Sequence, residues 1–275
     1  MRYLVAEEKL SVRRACAAVG LSRAAWYKEP LDRLVRDAEV IDALQDLAEK
    51  YPRRGFWKYR DHLRLDGRPW NHKRIHRVYC ELGLNHRRRT KKRLGDRPRL
   101  PLAVPAQPNC VWSLDFMNDT LYCGRRYRVL NVMDEGVREA LAIEIDTSLT
   151  GERVVRVLDQ IKSWRGVPEA IRCDNGPELL SEAFQTWCTD NGVAIWYIQP
   201  GKPNQNAYIE RFNRTFRGEV LSAYLFADLE QVREIAWEWL IDYNEERPHD
   251  ALGKIPPAAF RERKEAENST LELSA

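Results

Sequence analysis

Three carboxylic acids stand out by their neighbours. Asp115 lies within "VWSLDFM", surrounded by Trp112, Leu114 and Phe116. A buried carboxylate without a partner is costly, so an acid in such a run needs a reason to be there. Asp174 closes the apolar run "AIRC" and opens the turn "DNG". Turn propensity accounts for Asn175 and Gly176 and leaves Asp174 as one acceptable turn acid among several. Glu210 sits in "AYIERFNRTFRGEV", where Ile209, Phe212, Phe216 and Val220 form an apolar helical stripe. At about 100° per residue, Asn206, Glu210, Asn213 and Arg217 line up along one flank of that stripe. Glu210 is thus expected at the edge of a packed face, turned toward a sheet.

Like charges about 4 Å apart repel by about 4 kcal/mol at an effective dielectric of about 20. A divalent cation removes that penalty, and Mg²⁺ takes a few carboxylate oxygens together with water and substrate phosphate oxygens. Two such ions activate a water or sugar hydroxyl on one side of a phosphorus and stabilise the leaving oxygen on the other. These residue types therefore point to metal-assisted phosphodiester cleavage and transfer.

The charge distribution supplies a matching substrate. Net charge is only +4, yet residues 1–110 hold 26 Lys and Arg against 13 Asp and Glu, whereas residues 111–275 hold 19 against 28. A basic half joined to an acidic half fits a grip on a polyanion coupled to a function that needs carboxylates; nucleic acid is the expected polyanion. Glu7 and Glu8 interrupt the start too early for a signal peptide. The longest uncharged run, Leu100 to Leu114, carries three prolines and cannot be a membrane helix. Six cysteines without a C-x-x-C pair point to reduced thiols and a cytoplasmic protein.

The elements that must position the acids follow from periodicity. Residues 1–50 open with "KLSVRRACAAVGLSRAAWYKE", two short helices about Gly20 with Ser22 capping the second, in the outline of a helix-turn-helix. A further helix places Leu34, Val35, Ile41, Leu44 and Leu47 on its apolar side. Residues 51–86 form a second helical pair. After the cap Asn71, the stripe Ile75, Val78, Tyr79, Leu82 leaves Lys73, Arg74 and Arg77 on a basic face suited to phosphate contact. Residues 87–108, with Arg87, Arg88, Arg89, Lys91 and Lys92 followed by prolines, read as a linker that nucleic acid would order. Residues 109–225 then give three strands, helix, strand, helix, strand and helix. That is the order of an α/β ribonuclease-H-like domain with a mixed five-stranded sheet. Residues 226–275 read as a carboxy-terminal helix and tail.

The runs "WSLDFM", "CDNGPE", "PGKPNQNAYIERFNRTFRGEV" and "YNEERPHDAL", in this order and spacing, closely resemble the second-frame (OrfB) transposases of the IS-three insertion-sequence family, relatives of retroviral integrases. The resemblance spans nearly the whole chain. It implies an integrase-type catalytic core in which Asp115, Asp174 and Glu210 are the D, D and E that hold two Mg²⁺ ions, with Mn²⁺ able to substitute. It implies cutting at element ends and joining of 3′ hydroxyls to double-stranded DNA by a homo-oligomer, and possible fusion to an upstream-frame protein. The family's basic residue seven positions after the Glu falls on Arg217, and Arg214 and Asn206 on the same helix join it as expected DNA contacts. The zinc-binding C-x-x-C of retroviral integrases is missing, so no zinc carries over. Two rival functions use the same residues differently: a catalytically silent DNA-binding regulator, and a ribonuclease-H-like nuclease. Neither gives both halves of the chain a use.

Overall fold

The computed structural model describes residues 2–28, 33–86, 107–199 and 203–272. Three short helices open it: α1 (Arg2–Ala6), α2 (Val12–Ala18) and α3 (Arg23–Tyr27). The Ser22 hydroxyl accepts from Ala25 N at 3.1 Å, so the expected cap forms, and Ser11 caps α2 in the same way, accepting from Arg14 N at 3.4 Å. Gly20 turns the chain between α2 and α3 at φ +68°, a conformation that side-chain-bearing residues avoid.

The next helices, α4 (Arg33–Lys50), α5 (Phe56–Leu65) and α6 (His72–Glu81), share one core built on Val40, Leu44, Tyr59, Leu63, Ile75 and Val78. The expected division at residue 50 therefore falls inside a single packed unit. Val35 is 76% exposed, contrary to the expected stripe, because α4 packs through Val40 and Leu44 and a residue five positions before Val40 falls on the opposite side.

The carboxylate-rich half is built on a five-stranded sheet in the order β3-β2-β1-β4-β5. Its strands are β1 (Val111–Thr120), β2 (Arg126–Asp134), β3 (Glu139–Asp146), β4 (Ala170–Cys173) and β5 (Ala194–Tyr197). Strands β1, β2 and β3 pair antiparallel as a meander, and β4 and β5 add parallel to the far side of β1. Parallel addition requires crossover helices. These are α7 (Gly151–Arg165) and α8 (Glu182–Asp190), which bury one sheet face over Trp112, Leu114, Ile171 and Cys173. The other face packs on α9 (Ala207–Phe216) and α10 (Leu229–Glu245) through Ile209, Phe212, Phe216, Val232 and Trp239. Helix α10 is thus part of this core. Beyond α9 the turn widens to a π-helical segment at Arg217–Leu221. A last helix, α11, covers Pro257–Glu272.

A buried polar junction fastens the helical unit to the sheet domain. Arg54, 3% exposed, donates to Asp242, reaches His62 at 2.8 Å and lies 3.8 Å from Glu219. Around it the Tyr51 hydroxyl donates to Glu246 at 2.7 Å, Lys58 Nζ to Pro248 O at 2.7 Å and Lys254 Nζ to Asp61 at 2.6 Å. The stretch "YNEERPHDAL" is one side of this strap. Among the described residues, no helix is long and apolar enough to cross a membrane.

Candidate active site

Strand alternation decides which way Asp115 faces. Trp112 and Leu114 point into the α7–α8 core, so Asp115, one step out of phase, points to the side covered by α9. The parallel register then brings Asp174 beside it. Trp112 pairs with Ile171 and Ser113 with Arg172, and the same register continued past the end of β4 at Cys173 would set Asp174 level with Asp115. Neighbouring strands run about 4.8 Å apart, which makes the two acids neighbours on one face. Helix α9 crosses that face and carries Glu210 in its first turn.

The charges of Asp174 and Glu210 reach the Asp115 carboxyl. Burial pushes Asp115 up to about 6, and the charges of Asp174 and Glu210 add to the rise, while hydrogen bonds from Phe116 N and Asn213 oppose it. Both Asp115 oxygens are held: Oδ1 accepts from Phe116 N at 2.9 Å and Oδ2 from Asn213 Nδ2 at 2.6 Å. Asn213 is itself fixed, its Oδ1 accepting from Asn131 Nδ2 at 2.7 Å. Asn131 is fully buried and sits opposite Asp115 in the β1–β2 ladder. Asp174 is oriented by its own turn, with Oδ1 accepting from Gly176 N at 3.0 Å.

Gly176 is needed for space rather than for a left-handed turn. Its φ lies outside the positive range, but a Cβ there would come within 3.0 Å of Asp174 Oδ1. Glu178, two residues on, is pulled below the usual carboxylate range by its hydrogen bond from Arg128, whose guanidinium lies 4.4 Å from the Phe116 ring centre. Among the described residues, no three His, Cys, Asp or Glu side chains close into a ready-made metal cage. Asp115, Asp174 and Glu210 would offer a metal ion only an open set of hard oxygen donors. That suits Mg²⁺, which keeps water and substrate oxygens in its shell, better than a tight all-protein site.

The expected DNA contacts fare unevenly. Arg214 and Lys73 are exposed. Arg217 is exposed but tethered, donating to Asp119 at 3.2 Å and to Asn118 O at 3.0 Å. Arg74 and Arg77 are both bound to the buried carboxylate of Asp37, Arg74 at 2.7 Å, so they also tie α6 to α4. They still line, with Arg36 and Lys73, a shallow hollow of about 540 Å³. Asn206 corrects the expectation of a DNA contact. It is 3% exposed, because the 3₁₀ turn Pro203–Asn206 swings it inward at the start of α9. Arg87, Arg88, Arg89, Lys91 and Lys92 lie outside the described residues. The residue that sequence reading passed over is Asn213. Its signal was available: it lies three positions after Glu210, on the same flank.

Comparison with known proteins agrees with this architecture. Family models described as integrase core domain match residues 105–203 and 191–257. An uncharacterized 39.2 kDa protein of insertion element IS476 from Xanthomonas euvesicatoria is 41% identical over 262 residues, covering 94% of this chain and 75% of that protein. An uncharacterized 31.7 kDa protein of insertion element IS407 from Burkholderia multivorans is 43% identical over 252 residues, covering 91% and 90%. A chain of the simian T-cell lymphotropic virus intasome, solved in complex with a PP2A regulatory subunit, superposes with a TM-score of 0.52 at 18% identity, over 73% of this chain and 70% of that one. The last likeness carries the ribonuclease-H-like fold alone. With the integrase core and the insertion-element relatives together, the chain belongs to the IS-three family of insertion-sequence transposases.

Proposed function

We propose that Asp115, Asp174 and Glu210 form the active site of a DNA-cleaving and strand-joining polynucleotidyl transferase. What supports this reading is that the charges of Asp174, after β4, and Glu210, on α9, both act on the half-buried Asp115 of β1. Bound Mg²⁺ or Mn²⁺, in a pair, would supply activation of the attacking oxygen and stabilisation of the leaving one.

The chain's own residues supply positioning. Asn131 sets Asn213, and Asn213 sets the Asp115 carboxylate, so the first acid is held before substrate arrives. Gly176 N fixes Asp174, and Arg128 with Glu178 braces the loop beyond it. Arg214 stands exposed on the outer side of α9, where it would meet a phosphate of the DNA entering the site. Arg217 would do so from its tether at the end of β1. The work is expected to require a homo-oligomer that holds two element ends, acting in the cytoplasm on double-stranded DNA.

The test is a labelled duplex carrying the terminal sequence that flanks the gene, incubated with the full chain and Mg²⁺ or Mn²⁺. Strand cleavage at the element end, followed by joining to a second duplex, is expected from the wild type. Asp174→Asn should lose both while retaining duplex binding. Equal cleavage by Asp174→Asn would remove that acid from the site.

A further inference from the structure

Helix α9 has two flanks. The one carrying Glu210 and Asn213 belongs to the site above. The opposite one, through Tyr208 and Arg211, borders a cleft of about 550 Å³ whose other walls come from α5, the β2–β3 turn and the segment after α10. Lys58, Arg138, Arg211 and Arg247 line it against a single acid, Asp250.

Internal pairing does not use up this charge. Arg247 is occupied by Glu219 at 2.5 Å, and exposed Asp250 is shared between Lys58 at 3.4 Å and Lys254 at 3.5 Å. No ion pair is made by Arg138 or Arg211 among the described residues. Arg138 is held in place by donating to Glu135 O and by lying 3.3 Å from the centre of the Tyr208 ring. Arg211 is exposed. Beside them, His249 Nε2 is buried without a hydrogen-bond partner in the same wall. A guanidinium held in place at Arg138 and a second, exposed one at Arg211 call for an anion with several acceptor oxygens, and a guanidinium fork matches the paired oxygens of a phosphate.

We propose that this cleft binds a backbone phosphodiester of DNA, through Arg138 and Arg211, on the flank of α9 opposite Glu210. A strand lying in it would run from the basic helical unit at Lys58 across α9, giving the protein a second hold on DNA beside the reacting one. The inference rests on the reading of the protein as a DNA transferase, but not on the assignment of its catalytic acids.

The test uses the full chain and a fluorescent duplex, with affinity followed across a salt titration. Arg211→Ala and Arg138→Ala should each flatten the slope of log K against log salt by about 0.9, the loss of one phosphate contact. Arg211→Lys should restore it. Arg263→Ala, an exposed cation on α11, should leave it unchanged. An unaltered slope in both Arg138→Ala and Arg211→Ala would overturn the proposal, and so would an equal drop in Arg263→Ala. Inorganic phosphate gives a further arm. Stabilisation of the wild type but not of Arg211→Ala by phosphate, with the DNA slope unchanged, would mark a small-anion site and also overturn it. Failure of the catalytic assignment would show separately, as unchanged cleavage by Glu210→Gln with the Arg211 effect intact.

Discussion

Asn213 donates a 2.6 Å hydrogen bond to Asp115 from the helix that carries Glu210. It thereby couples the position of α9 to the first acid of the site. Asn213→Ala removes the bond and strands the buried Asn131 amide behind it. It is expected to lower stability by about 1–3 kcal/mol and turnover by about 10- to 100-fold, by the precedent of groups that orient metal ligands. DNA affinity should change little. Chemical denaturation and single-turnover cleavage check both parts; a loss confined to DNA affinity would contradict the positioning role.

Gly176→Ala tests the turn around Asp174. The added methyl would press on Asp174 Oδ1 at 3.0 Å, and the carboxylate must move to accommodate it. Cleavage is expected to fall by up to about tenfold, since the carboxylate would shift by a few tenths of an ångström and catalysis is sensitive to such misplacement. Because the φ of Gly176 is not left-handed, stability should stay within about 1 kcal/mol of the wild type. Thermal melting measured beside cleavage separates the two effects.

The buried junction predicts a large stability effect far from the chemistry. Arg54→Leu leaves Asp242 and Glu219 facing a side chain that cannot pair with them. Breaking a buried pair in this way costs about 3–5 kcal/mol. Urea denaturation should therefore show either a much lower midpoint or separate melting of the helical unit. Wild-type stability would show that the junction is not a fastening.

Two histidines give the acid limb of the stability profile. Burial, aided by nearby Arg54 and Arg247, lowers His62 to about 4, and burial with Arg247 and Lys58 lowers His249 to about 3. In the unfolded chain both protonate near about 6.5. The unfolded state thus binds more protons below that value, so stability is complete above it and falls as pH drops toward 4 and then 3. Denaturation midpoints at a series of pH values test this. His62→Gln, which keeps an acceptor for Arg54, should flatten the decline.

Much of the fold was legible because it depends on local periodicity. The alternation Trp112, Leu114, Phe116 puts Asp115 on one sheet face, and the stripe Ile209, Phe212, Phe216 turns Glu210 toward the sheet. What escaped depends on contacts distant in sequence. Arg74 and Arg77 read as a free basic face, and nothing nearby reveals that Asp37 holds both. Arg54 gives no sign of its bond to Asp242, 188 residues away. Asn206 keeps a helical phase that suggests exposure, and a local 3₁₀ turn buries it. The π-helical widening at Arg217 likewise has no periodic signature.

The central claim is that three acids act as one metal-dependent site, and groups that act as a unit fail together. The most direct measurement is metal-dependent cleavage of a plasmid bearing the element's ends by the wild type, Asp115→Asn, Glu210→Gln and the double variant. All must be folded and DNA-bound. Each single variant should lose at least about a thousandfold, and the double variant should lose no more than either alone. Losses that multiply, or a single variant that cleaves like the wild type, would contradict a shared site.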